Sequence, residues 1–126
     1  APPPCPSTAP VRATPPEDAA VDGAPAEGDY FVNGDRSLWA AAWWATDEDR
    51  PLRAGDDGLK VGWFRPAGAE LRITADAPAP PLEAHVPCCY PTRFQATGLR
   101  FPTAGCWEVT ATADGRGLSF VVEVAP

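Results

Sequence analysis

The sequence predicts an all-β fold, a two-sheet antiparallel sandwich of about seven strands over residues 29–126, behind a proline-rich extended arm over residues 1–28. Two observations carry this prediction. From Lys60 onward, apolar and polar residues alternate with period two in a series of short runs, as strands buried on one face do. Each run closes in a turn rich in Pro or Gly, and several short strands at such spacing suit a sandwich. A chain of 126 residues has room for one domain, and 44% hydrophobic content with five Trp can fill a core.

The arm comes first. It holds eight of the 17 prolines, shows no periodicity, and precedes the first aromatic residue, Tyr30. Such backbone is extended and polyproline-like. A spacer is the default reading of a Pro-rich segment. Here Cys5, and an even total of four Cys, favour an arm stapled onto the domain; its stiffness makes ordering it cheap in entropy.

Tyr30-Phe31-Val32 then reads as a strand ended by the turn Asn33-Gly34-Asp35. Residues 37–46 are ambiguous, since Trp39 and Trp43 share a helical spacing but the segment is short. Residues 47–58 form a polar loop. Lys60 to Arg65 alternates with Val61 and Trp63 on one face, and residues 70–75 alternate with Leu71 and Ile73 inward. The turn Pro66-Ala67-Gly68-Ala69 between them suggests a hairpin. Residues 76–81 are a Pro-rich connection, and Leu82, Ala84 and Val86 mark a further strand. Another runs from Arg93 to Phe101, interrupted near Gly98. The clearest pair is last: Trp107, Val109 and Ala111, then the turn Asp114 to Gly117, then Leu118, Phe120, Val122 and Val124.

Charge excludes whole classes of partner. A formal net charge of −7 with scattered Arg gives no basic footprint for nucleic acid, and an anionic membrane surface would repel it. The longest apolar run is too short to span a bilayer. Four Cys in a short chain with no Met suit an exported protein, and a start at Ala1 reads as a mature or trimmed form.

Cys5, Cys88, Cys89 and Cys106 allow three pairings. Adjacent cysteines seldom bond to one another, so the favoured scheme joins Cys106 to Cys88 or Cys89, and Cys5 to the other. A Cys3His zinc site of His85, Cys88, Cys89 and Cys106 is the sharper alternative, disfavoured because neighbours on a strand point to opposite faces. Blue copper needs two His and usually a Met, and this chain has one His and no Met. Nucleophilic catalysis would rest on His85 alone as base, and Ser7, Ser37 and Ser119 lie in no nucleophile context. The acids cluster in loops without calcium-loop spacing or opposed placement for glycoside hydrolysis. No cofactor is implied. Trp63 and Trp107 belong to alternating strands and hence to the core, whereas Trp39, Trp43 and Trp44 form the candidate binding surface.

Residues 58–65 (GLKVGWFR), residues 68–74 (GAELRIT) and the C-terminal GLRFPTAGCWEVTATADGRGLSFVVEV resemble a group of uncharacterised bacterial exported lipoproteins. Their signature Phe-Pro-Thr-x-Gly-Cys-Trp-Glu-Val-Thr falls here at Phe101 to Thr110. The resemblance implies export, a lipid-anchored or periplasm-facing position and an immunoglobulin-like sandwich, but no activity. This chain departs from the group after Pro87, where Cys88-Cys89-Tyr90 replaces Gly-Tyr-Gly.

The functional expectation is a non-catalytic, extracytoplasmic binding or accessory module that docks to a protein partner. The alternative is a carbohydrate-binding module using Trp39 to Trp44. Elemental analysis of the purified protein should find neither copper nor stoichiometric zinc, and assays for hydrolase, transferase or redox turnover of small-molecule substrates should stay at background. One zinc per chain with four reduced thiols would overturn this reading.

Overall fold

The computed structural model describes residues 5–14, 27–41, 52–55, 59–75 and 81–126, and these hold nine strands and no helix. The strands are β1 (Val11–Ala13), β2 (Gly28–Val32), β3 (Trp39–Ala41), β4 (Leu59–Phe64), β5 (Arg72–Thr74), β6 (Glu83–His85), β7 (Phe94–Arg100), β8 (Gly105–Ala113) and β9 (Arg116–Val124). They form a six-stranded sheet in the order β1-β2-β3-β4-β7-β6 and a three-stranded sheet in the order β5-β8-β9. Every strand pair is antiparallel.

Within this arrangement, β3-β4-β7-β6 facing β5-β8-β9 reproduces the order A-B-E-D facing C-F-G of a constant-type immunoglobulin domain. The fold is therefore an immunoglobulin-like sandwich of seven strands, with β1 and β2 added beside the first. The strands beyond those read from the sequence are β1, inside the proline-rich arm, and β3, within the ambiguous residues 37–46.

Alternation explains which residues face inward. Gln95, Thr97 and Leu99 on β7 are buried, as are Trp107, Val109, Ala111 and Ala113 on β8 and Leu118, Phe120, Val122 and Val124 on β9. The β8–β9 hairpin turns on Asp114 and Gly115, both at positive φ, which suits the two-residue turn that matches strand twist. Rings close the space between sheets: Phe31 of β2 stacks on Phe120 of β9 at 4.3 Å between centroids, and Trp63 of β4 lies 6.1 Å from the same ring. Both core indoles find acceptors. Trp63 Nε1 donates to Thr97 Oγ1 at 2.8 Å, and Trp107 Nε1 donates back to the Thr103 carbonyl at 2.9 Å. The second bond does at the β7–β8 corner what the tyrosine corner does in immunoglobulin domains, with indole N–H in place of phenol.

Several expectations need correction. The runs on either side of Pro66 to Ala69 are not a hairpin: β4 pairs with β3 and β7, whereas β5 pairs with β8 in the other sheet. Both runs bury a face, and that burial is satisfied equally well by facing each other across the core. β7 continues unbroken through Gly98, which pairs with Lys60 and His85. Residues 39–41 are strand, while most of the adjoining acidic loop lies outside the described residues. Its described part, residues 52–55, is tied down: Leu52 O accepts from Ala125 N–H and Gly55 N–H donates to Phe101 O, each at 2.8 Å.

The N-terminal arm is docked, but its staple differs from the favoured scheme. Cys5 pairs with Cys106 on β8, at a Cα separation of 5.5 Å, and Cys88 pairs with Cys89. The path of the arm gives the reason. Thr8 N–H donates to Val121 O at 2.9 Å and its hydroxyl accepts from Val121 N–H at 2.8 Å, so the arm covers the free edge of β9. Three residues later it becomes β1, paired with β2 of the opposite sheet. Cys5 is thereby carried to β8, and the two adjacent cysteines are left to each other.

Trp63→Ala and Trp107→Ala should each cost about 3–5 kcal/mol in urea denaturation, the range for truncating a fully packed aromatic. Cys5→Ser should cost about 2–5 kcal/mol, because the bridge closes most of the chain into one loop. Non-reducing peptide mapping should recover Cys5 joined to the Cys106 peptide. Recovery of Cys5 joined to the peptide containing Cys88 and Cys89 would reverse the assignment.

Candidate functional site

The two outer faces of the sandwich differ in chemistry. On the three-stranded sheet the outward positions carry Glu108, Thr110 and Thr112 on β8 and Ser119 and Glu123 on β9, the usual polar exterior of an antiparallel sheet. On the six-stranded sheet the register aligns a different set. Val11 pairs with Tyr30, Trp39 with Phe64, and Phe64 with Phe94, all pointing away from the core. Val32, Ala41 and Ala96 share that face, which toward the β6 edge carries the charged or polar residues Lys60, Glu83, His85 and Arg100.

The rings touch in series. Tyr30 meets Trp39 edge-on at 5.5 Å and Phe64 at 6.1 Å, and Phe64 meets Phe94 at 5.7 Å. Glycine makes room for one of them: a Cβ at Gly62 would lie 3.0 Å from Phe94 Cε2, so the ring lies across that gap in the sheet. Burial pushes the Tyr30 phenol above its ordinary pKa. Val11 stands 46% exposed at the edge of the face, and Phe64 and Phe94 are half-buried.

Trp39 does not serve as an exposed platform. Only 1% of it is accessible, its Nε1 donates to the Arg36 carbonyl at 2.9 Å, and the Arg36 guanidinium covers the ring at 5.0 Å. A central strand paired on both sides leaves the indole enclosed by its neighbours. Trp43 and Trp44 lie outside the described residues.

Beside the aromatic face, the loop between β6 and β7 is built around a buried arginine. The alternation that points Val61 and Trp63 inward does the same for Arg65, which is fully enclosed. Its Nε donates to Gln95 Oε1 at 2.9 Å, Nη1 to Pro66 O at 2.9 Å and Thr92 O at 2.8 Å, and Nη2 to Tyr90 O at 3.1 Å. Gln95 Nε2 in turn donates to Pro87 O. The guanidinium thus has neutral oxygens around it, and burial draws its pKa below the usual value, with Tyr90 acting the other way. Pro87 and Tyr90 bracket Cys88 and Cys89, both exposed.

The structure does not gather the four residues of the zinc alternative. Cys106 lies on β8 bonded to Cys5, His85 is exposed on β6, and the described residues contain no cluster of three metal-ligating side chains. The hydroxyls are engaged elsewhere, Ser37 donating to Asp35 at 2.5 Å and Ser119 meeting Thr110 at 3.0 Å. The Ser37 bonds, with Arg116 at 2.6 Å, hold the Asp35 carboxyl below its ordinary pKa and tie the β2–β3 turn to the β8–β9 hairpin.

Sequence reasoning missed Phe64, Phe94 and Arg65, although each left a signal. Phe64 is an apolar residue at an outward position of an alternating run, and Arg65 is a charged residue at an inward one. No protein-family model matches the chain, and neither a curated protein nor a solved structure matches it.

Gln95→Leu should cost about 1–3 kcal/mol, since it strips a partner from the buried guanidinium and from the Pro87 carbonyl. A double-mutant cycle with Arg65→Met should show coupling of about 0.5–3 kcal/mol. Strict additivity in urea melts would mean that the two side chains do not act as one clamp.

Proposed function

We propose that this protein is a non-catalytic binding module of the extracytoplasmic space, and that it docks a protein partner on the outer face of the six-stranded sheet. The observation that carries this reading is a local apolar stripe: across β1 to β4 and the start of β7 the outward positions are apolar or aromatic, whereas β8 and β9 present mostly polar residues on their outer face. An apolar sheet surface reaching the exterior is a familiar mark of an interaction site. Aromatic residues enrich such surfaces because they bury much area with few rotatable bonds.

A protein partner fits better than a sugar. A saccharide site needs converging polar groups to fix hydroxyls. Over β1 to β4 and the start of β7 the outward positions are Val, Ala, Phe and Tyr, and the one described indole there is enclosed. The charged or polar residues Lys60, Glu83, His85 and Arg100 of the same face lie toward the β6 edge, with Arg100 bound to Glu83. The net charge of −7 favours a partner with a basic rim.

The setting follows from chemistry of the same kind. All four cysteines are in disulfides, which is compatible with an oxidising, extracytoplasmic location. Export and lipid tethering are the further expectations from the resemblance at Phe101 to Thr110. Among the described residues no helix is long and apolar enough to cross a membrane.

A photo-crosslinking residue at position 11 or 96 should trap a protein in the native envelope, and the same residue at position 112, on the polar face, should not. Val11→Asp and Ala96→Asp should abolish the adduct while leaving the melting temperature nearly unchanged. Equal trapping from both faces would refute the assignment. Saturable binding to an oligosaccharide panel, with no protein adduct, would replace it with the carbohydrate reading.

A further inference from the structure

We infer that Cys88–Cys89 is a thiol–disulfide exchange site, which accepts electrons from a dithiol donor while the fold is held by the other bridge. Three observations carry this, independently of the docking face. Both cysteines are exposed, so a thiolate can reach either sulfur. The flanking backbone is anchored from the interior: Gln95 holds the Pro87 carbonyl, and Arg65 holds those of Tyr90 and Thr92. The loop therefore keeps its shape whether or not the sulfurs are joined. Finally, the two bridges differ in what folding does for them. Cys5–Cys106 spans 101 residues and fixes the arm across both sheets, so the folded state strongly favours its oxidised form. Cys88–Cys89 joins neighbours and closes no such loop, so folding lends it no comparable protection.

The exchange balances in two steps. A donor thiolate attacks one sulfur, forming a mixed disulfide and releasing the other cysteine as a thiolate, which takes a proton from water. The donor's second thiolate then attacks the mixed disulfide, releasing the remaining cysteine and leaving the donor oxidised. Two electrons and two protons pass to Cys88 and Cys89. The product is an adjacent dithiol at the surface, suited to exchange with an oxidised dithiol carrier or to capture of a soft, thiol-seeking ion such as trivalent arsenic.

The test is a dithiothreitol titration of the folded protein, quenched with iodoacetamide and read by peptide mass. Cys88 and Cys89 should acquire alkyl groups at a reductant concentration at least tenfold below that needed for Cys5 and Cys106. The half-reduced protein should keep its melting temperature and bind one equivalent of phenylarsine oxide. Cys88→Ala/Cys89→Ala should fold with the same melting temperature and lose both responses. Simultaneous reduction of the two bridges, earlier reduction of Cys5–Cys106, or alkylation of Cys88 and Cys89 without reductant would each overturn the inference.

Discussion

Two enclosed indoles, Trp63 and Trp107, each bring one N–H into the interior, and an unpaired N–H there would cost about 1–3 kcal/mol. The sandwich is arranged so that neither is unpaired. Trp63 on β4 reaches Thr97 on β7, the strand beside it, which locks the centre of the six-stranded sheet. Trp107 reaches back to Thr103 and so sets the corner at which the chain leaves β7 and enters β8 in the other sheet. With those corners set, Phe120 is brought against Phe31 and Trp63, and the gap between sheets closes over aromatic rings. The core thus depends on polar bonds made by large apolar side chains, since the same residues supply both area and direction.

Arg65 shows a different solution to burial. A charged group without a carboxylate partner is costly inside a protein, yet here carbonyls and one amide take its protons. The result is a loop shaped from below by a side chain that never reaches the surface. The arrangement is useful at the end of a sandwich, where loops otherwise have few packing contacts. It also explains why an exposed pair of cysteines sits on an anchored segment.

The arm acts on the opposite side of the domain. A free sheet edge invites pairing with another chain, and β9 would present such an edge at Val121. Thr8 occupies it, and β1 then extends the other sheet, so one short proline-rich segment spans the seam between both layers. The Arg12 contacts to Glu27 and Asp29 add little at so exposed a position. What holds the arm is backbone pairing at two places and one covalent bond.

Much of this was legible in the sequence, and the reason is local. Period-two alternation marked the strands and told which residues of each point inward, including Trp63 and Trp107. Arg65 continues the same alternation, but its charge hid it until the structure showed the oxygens that take its protons. Proline density and a lone early cysteine indicated a stiff arm that docks. Alternation records the face of a strand but not its neighbour, and the neighbours were decided by the tertiary structure. Hence β5 crossed to the second sheet instead of folding back on β4. Hence also Cys5 met Cys106 rather than Cys88 or Cys89, because the arm runs along the β9 edge of the three-stranded sheet, beside β8. The aromatic face arose the same way: Tyr30, Phe64 and Phe94 are far apart in the chain, and only the register of three strand pairs sets them in a row.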